Sequence, residues 1–354
     1  MTTTTLFDIE RAEISRIGDV DVNNLPFGSV FSDHQFIMDF QDGGWQSGQI
    51  QPYQDMTLSP AAMVLHYGQA IFEGMKAFRQ PNGDIALFRP MENIRRFNVS
   101  GERMCMPAVD EAVFMNALSE LVKMDSAWVP DAEGASLYIR PFMFANEVHV
   151  GVRPSAKYRF NIFTCPVGPY YKGNVRVKVE TEYTRAAPGG SGYAKAAGNY
   201  AAALKPTELA KEKGYHQILW TDAVEHRYIE ESGTMNAVFV LDGKLVSPAL
   251  GDTILNGVTR NSILTLARHY GIEVEERRIA VSELKAAAES GALQEAFGVG
   301  TAATMTPIEA IGFSGEDVEL PDVGTWRMMP KLAKGLDDIR RGRSEDPFGW
   351  RVVL

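Results

Sequence analysis

One short stretch, Pro166-Val167-Gly168-Pro169-Tyr170-Tyr171-Lys172-Gly173-Asn174, constrains how this 354-residue chain can fold. Its two prolines, two glycines and asparagine interrupt any regular helix or central strand. A chain of this length also exceeds one average domain. We therefore expect two domains, 1–167 and 176–354, joined by an interdomain linker over 168–175. Each half mixes strands and helices. In the first, Gln35–Phe40 and Ile85–Phe88 read as strands. Pro90 suits the first position of a helix across Met91–Ser100. Asp110 caps a second helix to Met124 with an apolar stripe of Val113, Phe114, Ala117, Leu118, Leu121 and Val122. Ser136–Phe144 and Tyr158–Cys165 follow as strands.

In the second half, Arg176–Glu180, Gln217–Trp220 and Ala237–Leu241 read as strands. Asn261–Tyr270 is a helix stopped by Gly271, and Ile272–Ile279 alternates as a strand. Ser282 caps a helix ending at Gly291. Hydrophobic residues make up 45% of the chain, enough for sizeable cores, and a crevice between lobes is the default ligand site. The formal charge of −10 disfavours nucleic acid and anionic membranes as partners. Two cysteines, Cys105 and Cys165, sit in apolar contexts and read as buried thiols of a cytoplasmic protein. Met1-Thr2-Thr3-Thr4-Thr5 lacks the features of a secretory leader. The six histidines lack metal-ligand spacing, so no metal site is expected.

Lys195 stands among small residues in Gly189-Gly190-Ser191-Gly192-Tyr193-Ala194-Lys195-Ala196-Ala197-Gly198-Asn199-Tyr200. Small neighbours let a backbone approach a flat ring, and a desolvated lysine is a nucleophile toward aldehydes. The competing reading is an exposed lysine in a flexible loop. Tyr228-Ile229-Glu230-Glu231-Ser232-Gly233-Thr234-Met235-Asn236 offers a carboxylate for a protonated ring nitrogen, unless the pair is simply solvated. Leu255-Asn256-Gly257-Val258-Thr259 opens a helix, where free N–H groups and the dipole favour a phosphate; an ordinary helix capped by Thr259 is the alternative. Arg89 adds a charged clamp. Phe297-Gly298-Val299-Gly300-Thr301-Ala302-Ala303 reads as a strand end, a glycine turn and a helix start. It imitates a dinucleotide fingerprint, but Pro307 arrives too soon for the helix that pattern requires.

An amine, a carboxylate, a helix-capped anion site and a glycine turn together point to pyridoxal 5′-phosphate. The chain closely resembles the branched-chain amino acid aminotransferases of fold type IV from about Phe27 onward. The motifs include Phe31-Ser32-Asp33-His34, Leu65-His66-Tyr67, Phe72-Glu73-Gly74-Met75-Lys76-Ala77-Phe78, Leu87-Phe88-Arg89-Pro90, Ser136-Leu137-Tyr138-Ile139-Arg140-Pro141, Glu231-Ser232-Gly233-Thr234-Met235-Asn236 and Gly300-Thr301-Ala302.

That resemblance implies a two-domain, mixed α/β (α+β) homodimer. The cofactor would lie between a smaller N-terminal and a larger C-terminal domain. It makes Lys195 the Schiff-base lysine and proton shuttle, Tyr200 the partner of the phenolic oxygen, and Glu231 the partner of the pyridine nitrogen. Arg89, Thr234, Gly257, Val258, Thr259 and Thr301 would bind the cofactor, with Leu255 against its ring. Tyr138, Thr301 and Ala302 would take the substrate α-carboxylate. Phe31, Tyr67, Phe72 and Tyr170 would line the apolar pocket, and Arg140 would meet the distal carboxylate of glutamate. The implied reaction moves an amino group between leucine, isoleucine or valine and 2-oxoglutarate. A D-amino acid transaminase and an aminodeoxychorismate lyase are rivals within the class. An NAD-dependent oxidoreductase and a cofactor-free binding protein are rivals outside it. Ala197 replaces a frequent glycine, and Ala303 and Thr306 stand where animal members carry a redox Cys-x-x-Cys.

Overall fold

The computed structural model describes residues 7–21, 24–168, 170 and 173–354. Pro169, Tyr171 and Lys172 of the expected linker lie outside the described residues, as does the N-terminal stretch read as leaderless. Two compact units result. One is Met1–Tyr170 with Ala194–Gly198 and Ile339–Leu354; the other is Tyr171–Tyr193 with Asn199–Asp338. The first unit therefore holds more of the chain than the second, the reverse of the expected sizes, and it includes Lys195.

Among the described residues the first unit is built on a ten-stranded sheet. Its centre is the antiparallel pair Ser136–Ala145 and Tyr158–Val167, flanked by His34–Gln41 and Met75–Arg79. Tyr158, Phe160 and Ile162 alternate along their strand and enter the core, where the helices Pro90–Arg103 and Glu111–Met124 cover them. Phe114 meets Phe160 edge-on at 4.7 Å and Phe97 at 5.3 Å. Phe160 is fully buried, and truncating such a ring to alanine costs about 3–5 kcal/mol. Asp110 caps its helix as expected, accepting from Ala112 N at 2.9 Å and Val113 N at 3.0 Å.

The second unit carries a nine-stranded mixed sheet among the described residues. Val175–Val179 runs parallel to both neighbours, Gln217–Thr221 and Thr304–Phe313. Further along the sheet, the strand Met235–Leu241, paired with Leu293–Gly300, is buried at every position. Two local expectations are corrected. Ser282 is not a cap: the helix Val281–Ser290 starts one residue earlier, with Ala280 at its N-cap and the Glu283 side chain reaching back to that residue's N–H. Gly291 does end it, in the left-handed conformation at φ 79°. No helix follows Gly300. Leu293–Gly300 and Thr304–Phe313 form a hairpin, with Thr301, Ala302 and Ala303 as its turn and Pro307 inside the second strand. The dinucleotide reading loses its helix. No helix among the described residues is long and apolar enough to cross a membrane.

Candidate active site

Lys195 enters the first unit as an added edge. Its carbonyl accepts from Phe72 N at 3.1 Å, Ala196 bridges Ile71, and its own N–H donates to Ser100 Oγ at 2.9 Å. The amine Nζ lies 4.8 Å from the centre of the Phe72 ring. The side chain is half-buried. This is not a loop lysine in solvent.

The same ring carries a second cation, with Arg140 Cζ 4.7 Å from its centre. Arg140 and Tyr138 sit two apart on Ser136–Ala145 and share a face of the sheet. Arg140 Nη2 donates to Tyr138 Oη at 2.9 Å. Its Nε is buried without a hydrogen-bond partner, and no carboxylate pairs with it among the described residues. Gly74 permits this packing: a Cβ there would stand 2.1 Å from Tyr138 Oη. Phe27 links Tyr138 to Tyr170 through edge-on contacts of 5.0 and 4.8 Å. Phe31 belongs to a neighbouring aromatic group, stacked on Tyr53 and edge-on to Phe163. Tyr67 departs from the group. It lies on the short helix Met63–Tyr67 and is 37% exposed.

Arg89 takes a left-handed conformation, φ 49°, rare for a residue with a side chain. Its N–H donates to Trp350 O at 2.8 Å, and its guanidinium lies over the Trp350 ring at 5.2 Å. Burial lowers its pKa, with Glu92 opposing.

In the second unit Glu231 is buried on the strand Ile229–Ser232. Its Oε1 accepts from Leu255 N at 2.7 Å and Asn236 Nδ2 at 3.2 Å. Its Oε2 stands 3.1 Å from Arg185 Nε, an ion pair off the line of a hydrogen bond. Asn236 Nδ2 also donates to Leu255 O at 2.9 Å, which knits the carboxylate to the approach of the next helix. Glu230 differs. Thr253 Oγ1 donates to one oxygen, the other has no partner, and burial pushes the carboxyl upward against Thr253 and Arg185.

The helix Val258–His269 begins beyond Gly257, which supplies no side-chain cap, and no acidic residue occupies its first turn. Thr259 lies inside the helix rather than capping it. Val258 and Thr259 are buried. A Cβ on Gly257 would stand 2.0 Å from Asn236 Oδ1, so the backbone comes close here. An uncapped helix start with a bare glycine suits a phosphate. Thr301 and Ala302 form the half-buried turn after Gly300. Tyr200 lies on the helix Ala197–Ala202, and Thr234 is exposed in the turn after Ser232.

Three residues escaped the sequence reading. Arg185 was not singled out as the partner of Glu231. Glu73 and Arg96 form a buried ion pair with Arg96 Nε at 2.7 Å and Nη2 at 2.8 Å. Burial alone raises the Glu73 carboxyl; Arg96, the Lys195 amine and Asn93 outweigh it and hold it low. The signal for the second pair was present: Asn93, Arg96 and Ser100 recur at helical spacing beside buried Ile94 and Phe97.

The first unit thus holds a half-buried amine on an aromatic ring and an arginine without a counter-carboxylate among the described residues. The second holds a buried glutamate and an open helix start. Residues 70–311 match the model of the family described as Amino-transferase class IV. The chain belongs to this family. It is 46% identical over 338 residues to branched-chain-amino-acid aminotransferase 2 of Bacillus subtilis, covering 94% of this chain and 93% of that protein. It is 47% identical to branched-chain-amino-acid transaminase 1 of the same organism, covering 94% and 95%. Its fold, mixed α/β of fold type IV, superposes on the Escherichia coli branched-chain amino acid aminotransferase with a TM-score of 0.72 at 26% identity, covering 90% of this chain and 98% of that one. The branched-chain aminotransferase from Thermoproteus uzoniensis, solved with norvaline, gives 0.73 at 25% identity, covering 90% and 99%.

Proposed function

We propose that this protein is a branched-chain-amino-acid aminotransferase, exchanging the amino group between L-leucine, L-isoleucine or L-valine and 2-oxoglutarate. The observation that carries the reading is Arg140 among aromatic rings, with no carboxylate of its own among the described residues. A pocket for both leucine and glutamate needs apolar walls and one cation in reserve, because a buried carboxylate requires a paired charge. Phe72, Tyr138 and Tyr170 supply walls, and Arg140 supplies the charge.

Pyridoxal 5′-phosphate fits the residues present, and when bound it supplies the aldehyde and electron-withdrawing ring that let an amino group change carriers. Lys195 would hold it covalently. Val258, Thr259, Gly257, Thr301 and Arg89 would take its phosphate, Tyr200 its phenolic oxygen, and Glu231 its ring nitrogen, with Leu255 and Thr234 beside it. Lys195 Nζ is the base that takes and returns the proton at the α-carbon of the amino acid. Tyr138, Thr301 and Ala302 would orient the α-carboxylate, and Phe31 would extend the apolar wall. Glu231, fixed by two N–H donors, keeps its negative charge in one place as the proton moves.

We also propose a cytoplasmic homodimer. Leu65, Tyr67, Val148, Val150 and Val152 are exposed, and Ala62 bridges Val148 to join their segments. Such an apolar patch fits a second copy of the chain. Tyr67 would then act from this patch rather than from a closed pocket.

The test is a panel of amino donors with 2-oxoglutarate, together with borohydride reduction and peptide mapping. Transfer from leucine, isoleucine and valine, and a reduced adduct on Lys195, are expected. Activity confined to D-alanine, or an adduct on another lysine, would overturn the reading. Sizing of the purified protein as a monomer would overturn the dimer.

A further inference from the structure

Ser100 is fully buried in the helix Pro90–Arg103 and has two hydrogen bonds of different kinds. Its hydroxyl proton goes to Arg96 O at 3.0 Å. Its oxygen accepts the Lys195 N–H at 2.9 Å. A serine hydroxyl has one proton to give, so this orientation leaves its lone pairs for the lysine.

The same helix face carries Asn93 and Arg96, two turns and one turn before Ser100 respectively. Both donate to Glu73: Asn93 Nδ2 at 3.0 Å, and Arg96 through Nε and Nη2. Glu73 is locked further by Gly74 N at 3.1 Å, and its own N–H donates to Pro141 O at 2.7 Å. The residue before it is Phe72, whose N–H holds the Lys195 carbonyl. One helix face therefore grips the Lys195 main chain from both sides, directly at its N–H and through Glu73 and Phe72 at its carbonyl.

We propose that Ser100 is a positioning residue for the Lys195 amine. Fixing the lysine main chain sets the direction in which the side chain leaves it, and so where Nζ stands when it moves the α-proton. The proposal rests on the reading of Lys195 as the reactive lysine. Without the hydroxyl, the Lys195 N–H loses this acceptor, and with it one of the two main-chain bonds that hold residues 194–198 in place. A displacement of about 1 Å in a reacting group is enough to cost on the order of 100-fold in rate.

The experiment compares cofactor-loaded wild type, Ser100→Ala and Ser100→Thr. Borohydride mapping in the wild type comes first, and an adduct on another lysine overturns the assignment of Lys195 itself. With Lys195 as the mapped site, Ser100→Ala is expected to lose roughly 10- to 100-fold in kcat, with KM for leucine changing less than about threefold. It should also shift the pH midpoint of the visible absorption band. Ser100→Thr, which keeps the hydroxyl, should recover most of both. A purely structural serine would lower thermal stability without moving the midpoint, and that result overturns the proposal. If Ser100→Ala does not fold, amide exchange in the wild type decides. Slow exchange of the Lys195 N–H supports the clamp, and exchange at the rate of an exposed loop overturns it.

Discussion

Arg185 Nε stands 3.1 Å from Glu231 Oε2, and both side chains are more than nine-tenths buried. Two adjacent glutamates therefore have different fates. Glu231 has a cation and two N–H donors, whereas Glu230 has one hydroxyl and an oxygen with no partner. Glu231→Gln should destabilise the protein by about 3–5 kcal/mol, because it removes the carboxylate that pairs with the buried Arg185 charge. It should also slow single-turnover amino transfer strongly. Near-normal single-turnover rates would show that Glu231 does not hold the ring nitrogen.

Glu230→Gln should behave in the opposite way. Burial, the largest influence, raises the Glu230 carboxyl above its ordinary value of 4.5. The folded state then binds a proton that the unfolded state has released, so stability falls as pH rises from the unfolded value through the folded one. Removing the titration should make the variant as stable as wild type or more so at pH 8, with a flatter profile above pH 4.5. Thermal melts from pH 4 to 8 check this, and a steeper fall than wild type would contradict it.

Glu73 carries the reverse sign. Arg96, Lys195 and Asn93 hold its carboxyl below 4.5 despite complete burial. Its stabilising contribution is present above pH 4.5 and is lost as pH falls through the lower folded value. Glu73→Gln should cost about 3–5 kcal/mol at pH 7, by taking the paired carboxylate away from Arg96, and should remove part of the acid-induced loss of stability. Denaturant melts at pH 7 and pH 3.5 measure both, and an equal loss at the two values would refute the linkage.

Arg140→Ala should separate the two substrate types. With glutamate or 2-oxoglutarate, losing the paired charge should lower kcat/KM by roughly 100-fold or more. With leucine the loss should stay within about tenfold, since the remaining effect is packing over Phe72 and Tyr138. Steady-state kinetics on both half-reactions decide it, and equal losses would make Arg140 structural.

Mild peroxide should leave activity largely intact. Cys165 is buried, and burial pushes its thiol up to about 11, far from a reactive thiolate. Cys105 is exposed rather than buried as its apolar context suggested, and its φ of 53° places it in a tight turn after the helix. Ala303 and Thr306 cannot form a disulfide. Met305 beside the turn is an oxidation target that dithiothreitol does not repair. Rapid inactivation fully reversed by dithiothreitol would point to Cys105.

The elements most legible in the sequence were those whose periodicity coincided with packing. Tyr158–Cys165 alternates and forms the strand Tyr158–Val167, and Asp110 caps as its chemistry dictates. Helix starts were less legible. Val258–His269 begins three residues before the expected Asn261, because its start is set by Gly257 rather than by a capping side chain. The turn at 301–303 resembled a helix start because glycine and threonine suit both, and only strand pairing distinguishes them. The lysine and glutamate were legible by motif, but their supports were not. Ser100 and Arg185 lie 95 and 46 positions from the residues they hold, a separation that only folding closes.

The packing of residues 194–198 and 339–354 with the first unit changes what counts as a fragment of this protein. A gene cut after Tyr170 would yield neither the lysine nor the strand Arg351–Val353, which pairs with Ile85–Phe88. The shortened product would present an open, hydrogen-bonding sheet edge, an invitation to pair with other chains. Genetic exchange of one half of the chain between relatives must therefore carry three separated segments together, or it exchanges an adhesive remnant instead of a domain.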